Sequence, residues 1–331
     1  QEVFNHWEAP FAGVRAALAQ KLGVSAAEAP YATMMPPQPM TPYLADFTAS
    51  ASASAPAAAA AWSPAPHARM GQASTNTLHF VAGLPRSGST ALMSLLAQNP
   101  RVFAAPVSGL ASIFAGIHAN WDKSEFHQEL PNPDAKRRVL RAVLERYHET
   151  DRPVLLDKDR QWVMHIALLE DLLQRKVKVI LPVRPIPEVL ASFEVLRLKN
   201  PLEFTGADEA LGPSSTIETR AAYFADAKGA FGLAYNAMKD AVTAGYLDRL
   251  LFVDYNRLMS APKMQLKRIY EFLEEPNFEH DLNNVPQMAQ GDSRVAHKFA
   301  GLHDVRPVFK KESRSAREVL GDVYGKYDQP E

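Results

Sequence analysis

LHFVAGLPRSGSTALMSLLAQ, residues 78–98, sets the frame in which the rest of the chain is read. Leu78–Ala82 is a short apolar run of strand type, and Gly83–Ser89 is a turn. From Thr90 to Gln98 the apolar residues Leu92, Leu95 and Leu96 recur at helical spacing. A strand, a glycine-containing turn and a helix start together make a cradle for an anion. Successive backbone N–H groups point inward, and the helix N-terminus adds roughly half a positive charge. The candidate anion-binding residues are therefore Leu84, Pro85, Arg86, Ser87, Gly88, Ser89 and Thr90. Gly83 and Gly88 have the G-x-x-x-x-G spacing of a nucleotide P-loop, but Ser89-Thr90 follow where a triphosphate loop has Lys-Ser/Thr. The cation comes earlier, as Arg86, so the usual lysine contact to a terminal phosphate of ATP is missing.

Outside this stretch, composition sets bounds. The chain has 331 residues, 47% hydrophobic and 22% charged, enough for one large domain or two modest ones. A formal net charge of −1 gives no general attraction to nucleic acid or acidic membranes. The absence of cysteine excludes a disulfide scaffold, a thiolate nucleophile and cysteine-ligated metal, and fits a reducing, cytoplasmic setting. No apolar run approaches the roughly 20 residues of a membrane span, and the opening QEVFNHWEAP does not read as a cleavable signal. Residues 1–71 differ in composition from the remainder of the chain. Ala12–Leu22 carries Val14, Leu18 and Leu22 on one stripe, and then MMPPQPMTP leads into TASASASAPAAAAAWSPAP, an Ala/Pro/Ser-rich linker. The catalytic domain is expected over 72–331. The front is either an appendage from a larger modular chain or a small helical cover in which Phe4, Trp7, Phe11 and Leu18 fold back.

Three downstream segments carry chemistry. Val154–Leu156 is a strand running into Asp157-Lys158-Asp159-Arg160, and charges at the carboxyl end of a buried strand lie where open α/β sheets bind ligands. The strand KVKVILPV ends at Arg184, and Ser192 follows eight residues later on a helix with Pro187 near its start. A long helix is expected from about Thr216 to Ala244. It is followed by the strand Leu250–Asp254, which ends in Tyr255-Asn256, and by a helix over Ala261–Glu274 with Met264, Leu266, Ile269, Tyr270 and Leu273 mostly inward. A further amphipathic helix is expected over Pro133–Tyr147, with Val139, Leu140, Val143, Leu144 and Tyr147 on one side.

PRSGST after a hydrophobic strand, joined to a strand–Arg–x7–Ser–helix downstream, resembles the sulfotransferase family, in the branch with Arg where cytosolic members have Lys. The resemblance covers roughly residues 77–310. It implies a P-loop-type three-layer α/β/α domain with a central parallel sheet, preceded by the linker-like segment. It also implies sulfuryl transfer from 3′-phosphoadenosine 5′-phosphosulfate (PAPS) to a hydroxyl or amine, with no metal required. On this resemblance the loop and Arg86 hold the 5′-phosphosulfate, Arg184 and Ser192 converge on the 3′-phosphate, and Tyr255 lies near the adenine. Lys158 reaches the bridging oxygen, and a late basic residue, Arg294, Lys298 or Arg306, closes over the nucleotide.

Two departures concern the base. Related branches place a glutamate after the first helix, and Val107–Ser112 contains no acid; the cytosolic branch has a histidine where Arg160 stands. The base is left between His118, in AGIHANW, and Asp159. The acceptor is a small or carrier-bound molecule, and a homo-oligomer is left open. The rival readings are a P-loop kinase using ATP and magnesium, and a non-catalytic nucleotide-binding module of a larger assembly.

Overall fold

The computed structural model describes residues 76–106, 108–201, 206–212, 214–288, 301–310 and 315–328. The expected N-terminal helix and linker lie outside these residues, as do Arg294 and Lys298. The core is one five-stranded parallel sheet in the order β2-β3-β1-β4-β5. Its strands are β1 (Thr77–Val81), β2 (Val102–Ala105), β3 (Val154–Lys158), β4 (Val179–Val183) and β5 (Leu250–Asp254). The strands are almost continuously apolar because both faces are covered. Along β4, Val179, Leu181 and Val183 enter one hydrophobic cluster and Ile180 the other.

On one face pack α1 (Ser89–Leu96), α10 (Tyr255–Ser260) and α11 (Pro262–Leu273). On the other lie α2 (Leu110–Trp121), α4 (Pro133–Arg146), α5 (Ile166–Leu173), α6 (Ile186–Lys199), α8 (Ile217–Ala225) and α9 (Ala230–Thr243). Among the described residues there are also the short helices α3 (Glu125–Glu129), α7 (Gly206–Leu211), α12 (Ala316–Leu320) and α13 (Tyr324–Tyr327). Local signals explain several starts. Asn132 accepts from the Ala135 N–H ahead of Pro133, Thr216 forms a capping box with Thr219, and Asp254 accepts from the Arg257 N–H. The segment after β3 opens as a 3-10 turn, Arg160–His165, rather than a full α-helix. Although β3 and β4 are joined through α5, they are not neighbours, because β1 lies between them.

Three expectations are corrected. The long helix over 216–244 is two helices, α8 and α9, broken at Asp226–Gly229. A Cβ on Gly232 would lie 2.1 Å from the Asp226 carbonyl oxygen, and one on Gly229 would lie 2.4 Å from that of Tyr223. The chain therefore turns back on itself more closely than any side chain would allow. On α11 Met264 is 53% exposed while Leu266, Ile269, Tyr270 and Leu273 are buried, since Met264 falls two residues short of the buried stripe. On α4 only Leu140 and Leu144 are fully buried; Val139 is exposed, and Tyr147, the partly exposed C-cap, accepts from the Gly109 N–H. Because all strands are parallel, the segments following β1, β2, β3, β4 and β5 emerge on one edge of the sheet.

Candidate active site

A cleft of about 820 Å³ lies along that carboxyl edge. The loop after β1 forms its floor. Gly83, at φ 93°, fits because its backbone runs against β4: Leu84 N–H donates to the Pro182 carbonyl at 3.0 Å, and a Cβ on Gly83 would lie 2.3 Å from that oxygen. Arg86 has φ 57°, a left-handed value rare for a side-chain-bearing residue and worth roughly 1–2 kcal/mol of strain. That strain turns its side chain across the cleft. Nε donates to Ser192 Oγ at 3.0 Å and Nη1 to the Leu302 carbonyl at 2.6 Å.

Ser87 is fully buried, and its hydroxyl donates to the Leu84 carbonyl at 2.6 Å, so it closes the loop rather than facing the cleft. Gly88 caps α1 at φ 82° with no side-chain hydrogen bond, and the first turn of α1 carries no acid. The first N–H groups of that helix therefore lack an intrahelical acceptor. The Ser89 and Thr90 hydroxyls line the cleft and make no hydrogen bond with a described residue. These unpaired donors, with Arg86 beside them, suit an anionic ligand.

At the end of β4 Arg184 is held from three sides. Nε pairs with Glu188 Oε2 at 3.0 Å, Nη1 donates to the Arg86 carbonyl at 3.1 Å, and the guanidinium lies 4.1 Å from the centre of the Tyr255 ring. Asn256 Nδ2 donates to the other Glu188 oxygen at 3.1 Å. Arg86, Arg184, Ser192 and Tyr255, far apart in the chain, thus meet as one constellation. Sequence reasoning missed Glu188 and Asn256 as supports; the i,i+4 spacing from Arg184 to Glu188 was the available signal.

On the other side of β1, Val81 pairs with Lys158. Lys158 lines the cleft, and burial, reinforced by the Arg160 charge, lowers its ammonium to about 8. Asp159 also lines the cleft and caps the 3-10 turn through Gln161 N–H at 2.9 Å; burial raises its carboxyl above the usual range. Asp157 points away. It is fully buried between Trp162 Nε1 at 2.7 Å and His148 Nε2 at 2.6 Å, a support for β3 that the sequence did not reveal. His118 is not among the cleft-lining residues. It sits in the last turn of α2, within electrostatic reach of His165, with its pKa lowered by burial and then by Lys136.

The segment 301–310 forms the outer wall and brings Arg306 and Lys310 to the cleft. Val285 N–H donates to the Pro307 carbonyl and Phe309 N–H to that of Leu282, which fasten this segment to residues 282–285. Among the described residues no three His, Asp or Glu side chains form a metal-binding group, and no helix is long and apolar enough to cross a membrane.

Among solved structures, the chain is similar to the sulfotransferase domain from the Synechococcus PCC 7002 olefin synthase. The identity is 20% over 77% of this chain and 96% of that one, with a TM-score of 0.40. It is also similar to the sulfotransferase domain from the curacin biosynthetic pathway, at 19% identity over 77% of this chain and 92% of that one, TM-score 0.41. Sulfotransferase STF9 from Mycobacterium avium matches at 16% identity over 76% of each chain, TM-score 0.40. No curated protein sequence matches. The family described as "Sulfotransferase domain" matches residues 77–306, so strand β1, the five-stranded sheet and the greater part of the cleft fall inside the match, and the chain belongs to the sulfotransferase family.

Proposed function

We propose that the protein transfers a sulfuryl group from PAPS to an acceptor hydroxyl or amine, with Asp159 taking the acceptor proton. The observation that carries this reading is the meeting of the β1 loop with the Arg184–Ser192 pair, through Arg86 Nε to Ser192 Oγ and Arg184 Nη1 to the Arg86 carbonyl. One group at each end of that constellation suits one end of a nucleotide carrying both a 5′-phosphosulfate and a 3′-phosphate. A triphosphate of the kinase reading would need a lysine after Gly88, and Ser89 stands there.

PAPS supplies an activated S–O bond. As the acceptor oxygen bonds to sulfur, the bond to the 5′-phosphate oxygen breaks, and negative charge grows on that oxygen. Arg86, the first amides of α1 and the Ser89 and Thr90 hydroxyls stabilise that charge, and protonated Lys158 assists at the same oxygen. Asp159 is favoured over His118 as the base because it lines the cleft and its raised pKa brings it closer to operating pH. The domain is taken to start near residue 72, supported by the family match beginning at 77.

The test is calorimetric titration with 3′-phosphoadenosine 5′-phosphate (PAP), 5′-AMP and ATP–Mg²⁺. PAP is expected to bind at least about tenfold tighter than 5′-AMP, and Arg184→Ala to abolish the difference. Preference for ATP–Mg²⁺ would overturn the reading.

A further inference from the structure

The described lining of the cleft carries seven lysines and arginines against two acids, Asp159 and Asp304, in a chain whose net charge is −1. On the donor reading above, Arg86 and Lys158 serve the phosphosulfate end and Arg184 the 3′-phosphate end. Arg306 and Lys310 lie on the outer wall with the segment that would cover the nucleotide. Arg160 and Lys199 are left over.

Both are exposed at the cleft, and among the described residues neither makes a hydrogen bond or an ion pair. Neither is placed for the 3′-phosphate. Lys199 is the last residue of α6, which starts beside Arg184 at Ile186, so thirteen residues of helix carry it about 20 Å along the axis. Even Ser192, the α6 residue bonded to Arg86, lies about 10 Å short of it along the helix. Arg160 leaves β3 two residues after Lys158, on the opposite side of β1 from β4 and β5. It is the foremost charge acting on Lys158 and on Asp159, so it stands beside the position where an acceptor hydroxyl would be deprotonated. Solvent-facing cations that form no hydrogen bond or ion pair among the described residues, beside the one described acid of that part of the cleft, form a site for an anion belonging to the second substrate.

We infer that Arg160 and Lys199 select an acceptor that carries an anionic group, a phosphate or a carboxylate, in addition to the hydroxyl or amine that receives the sulfuryl group. This inference rests on the donor reading. The anion is held by the two cations while the nucleophile faces Asp159 and Lys158. Arg160 can take either anion in a two-pronged fashion, and Lys199 adds a point charge. Leu196, one turn before Lys199 on the same helix, gives an apolar wall for the carbon chain between the two groups.

The experiment uses the full chain saturated with PAP and three probes of matched length: butane-1,4-diol, 4-hydroxybutyrate and 4-hydroxybutyl phosphate. Binding is read by calorimetry, and sulfuryl transfer by the same probes with PAPS. An anionic probe is expected to bind at least about tenfold tighter than the diol, and Arg160→Gln and Lys199→Gln each to remove most of that advantage. Whichever anion gives the larger advantage names the group. If PAP binds as proposed but the three probes bind alike, or none binds, the acceptor inference is wrong and the donor reading stands. If Arg160→Gln weakens PAP itself about tenfold, Arg160 belongs to the donor site and the inference is again overturned. If PAP fails to bind in a way that depends on its 3′-phosphate, both readings fall together.

Discussion

Gly88→Ala is the perturbation that most directly tests whether the loop and the proposed 3′-phosphate site at Arg184 act as one unit. Gly88 has φ 82°, and an L-residue there loses roughly 1–2 kcal/mol to backbone strain. The added methyl would stand 2.9 Å from Tyr255 Cδ2 and 3.0 Å from Cε2, well inside the roughly 3.5–4.0 Å of normal carbon contact. The ring must move, and the Arg184 guanidinium lies 4.1 Å from its centre. Arg184 is tied to Glu188 at 3.0 Å and to the Arg86 carbonyl at 3.1 Å, so it has little slack to follow. Overpacking of this kind adds about 1–3 kcal/mol. A total near 3 kcal/mol corresponds to a fall in Tm of about 6–12 °C for a domain of this size. The functional effect is larger for PAP than for 5′-AMP, because only PAP presents the group Arg184 would hold. Losing one charge-assisted hydrogen bond weakens PAP by about ten- to a hundredfold. Pairing Gly88→Ala with Tyr255→Leu takes away the ring edge and leaves the backbone strain, so part of the stability returns. Equal weakening of PAP and 5′-AMP in the Gly88→Ala protein would refute the coupling through Tyr255.

Two further predictions concern protons. The rate is expected to fall above about pH 8 as Lys158 loses the charge that assists the leaving oxygen, and to fall again on the acid side as Asp159 is protonated below its raised pKa; in Lys158→Arg the alkaline limb should vanish, and its persistence would assign that limb to another group. His79, buried in β1 with Nδ1 unpartnered among the described residues, is lowered to about 3 by burial and then by Arg175 and Lys178, and His165 is lowered to about 4 by burial. An unfolded histidine titrates near about 6.5, so their contribution is present above that pH and is lost on acidification, by about 1.4 kcal/mol per pH unit for each histidine. Urea midpoints should therefore drop between pH 7 and 5 and drop less in His79→Leu, and an identical slope in that variant would refute the assignment.

Four of the five strands were legible because each is built on a short apolar run buried on both faces, which needs no alternation to be recognised, whereas the four-residue β2 (Val102–Ala105) was not read as a strand. The loop that floors the cleft was legible for a related reason. A tight turn packed against its neighbours needs glycines at fixed places, here Gly83 against Pro182 and Gly88 against Tyr255, and glycine leaves a plain mark in a sequence. The contacts that stayed hidden are those between residues distant in the chain. Nothing near Asp157 announces that His148 and Trp162 hold it, and nothing near Arg86 announces Leu302. The break between α8 and α9 was marked by Gly229 and Gly232, but a helical pattern on both sides masked it, because two glycines lower helix propensity without fixing where the chain turns.

The two departures that concern the base fall on one side of β1. Arg160, where the cytosolic branch has a histidine, and the absence of an acid near Val107–Ser112 both lie beside β2 and β3, whereas Arg184 and Ser192, beside β4, match the motif of the resemblance and Asn256, after β5, stands where the family has a glutamate. A parallel sheet allows this separation. Each strand delivers its loop to the same edge, so one side of the edge can keep a nucleotide while the other is rebuilt for a different nucleophile. Arginine at position 160 is a permanent cation and offers no base. On the proposed reading the proton goes to Asp159, the neighbouring carboxylate whose pKa burial raises. The same cation that lowers Lys158 also holds Asp159 down against the effect of burial, so Arg160→Gln should raise both groups and move the two limbs of the pH–rate profile upward together. A profile that stays fixed while anion selectivity is lost would assign Arg160 to the acceptor alone, and a shifted profile would give it both roles.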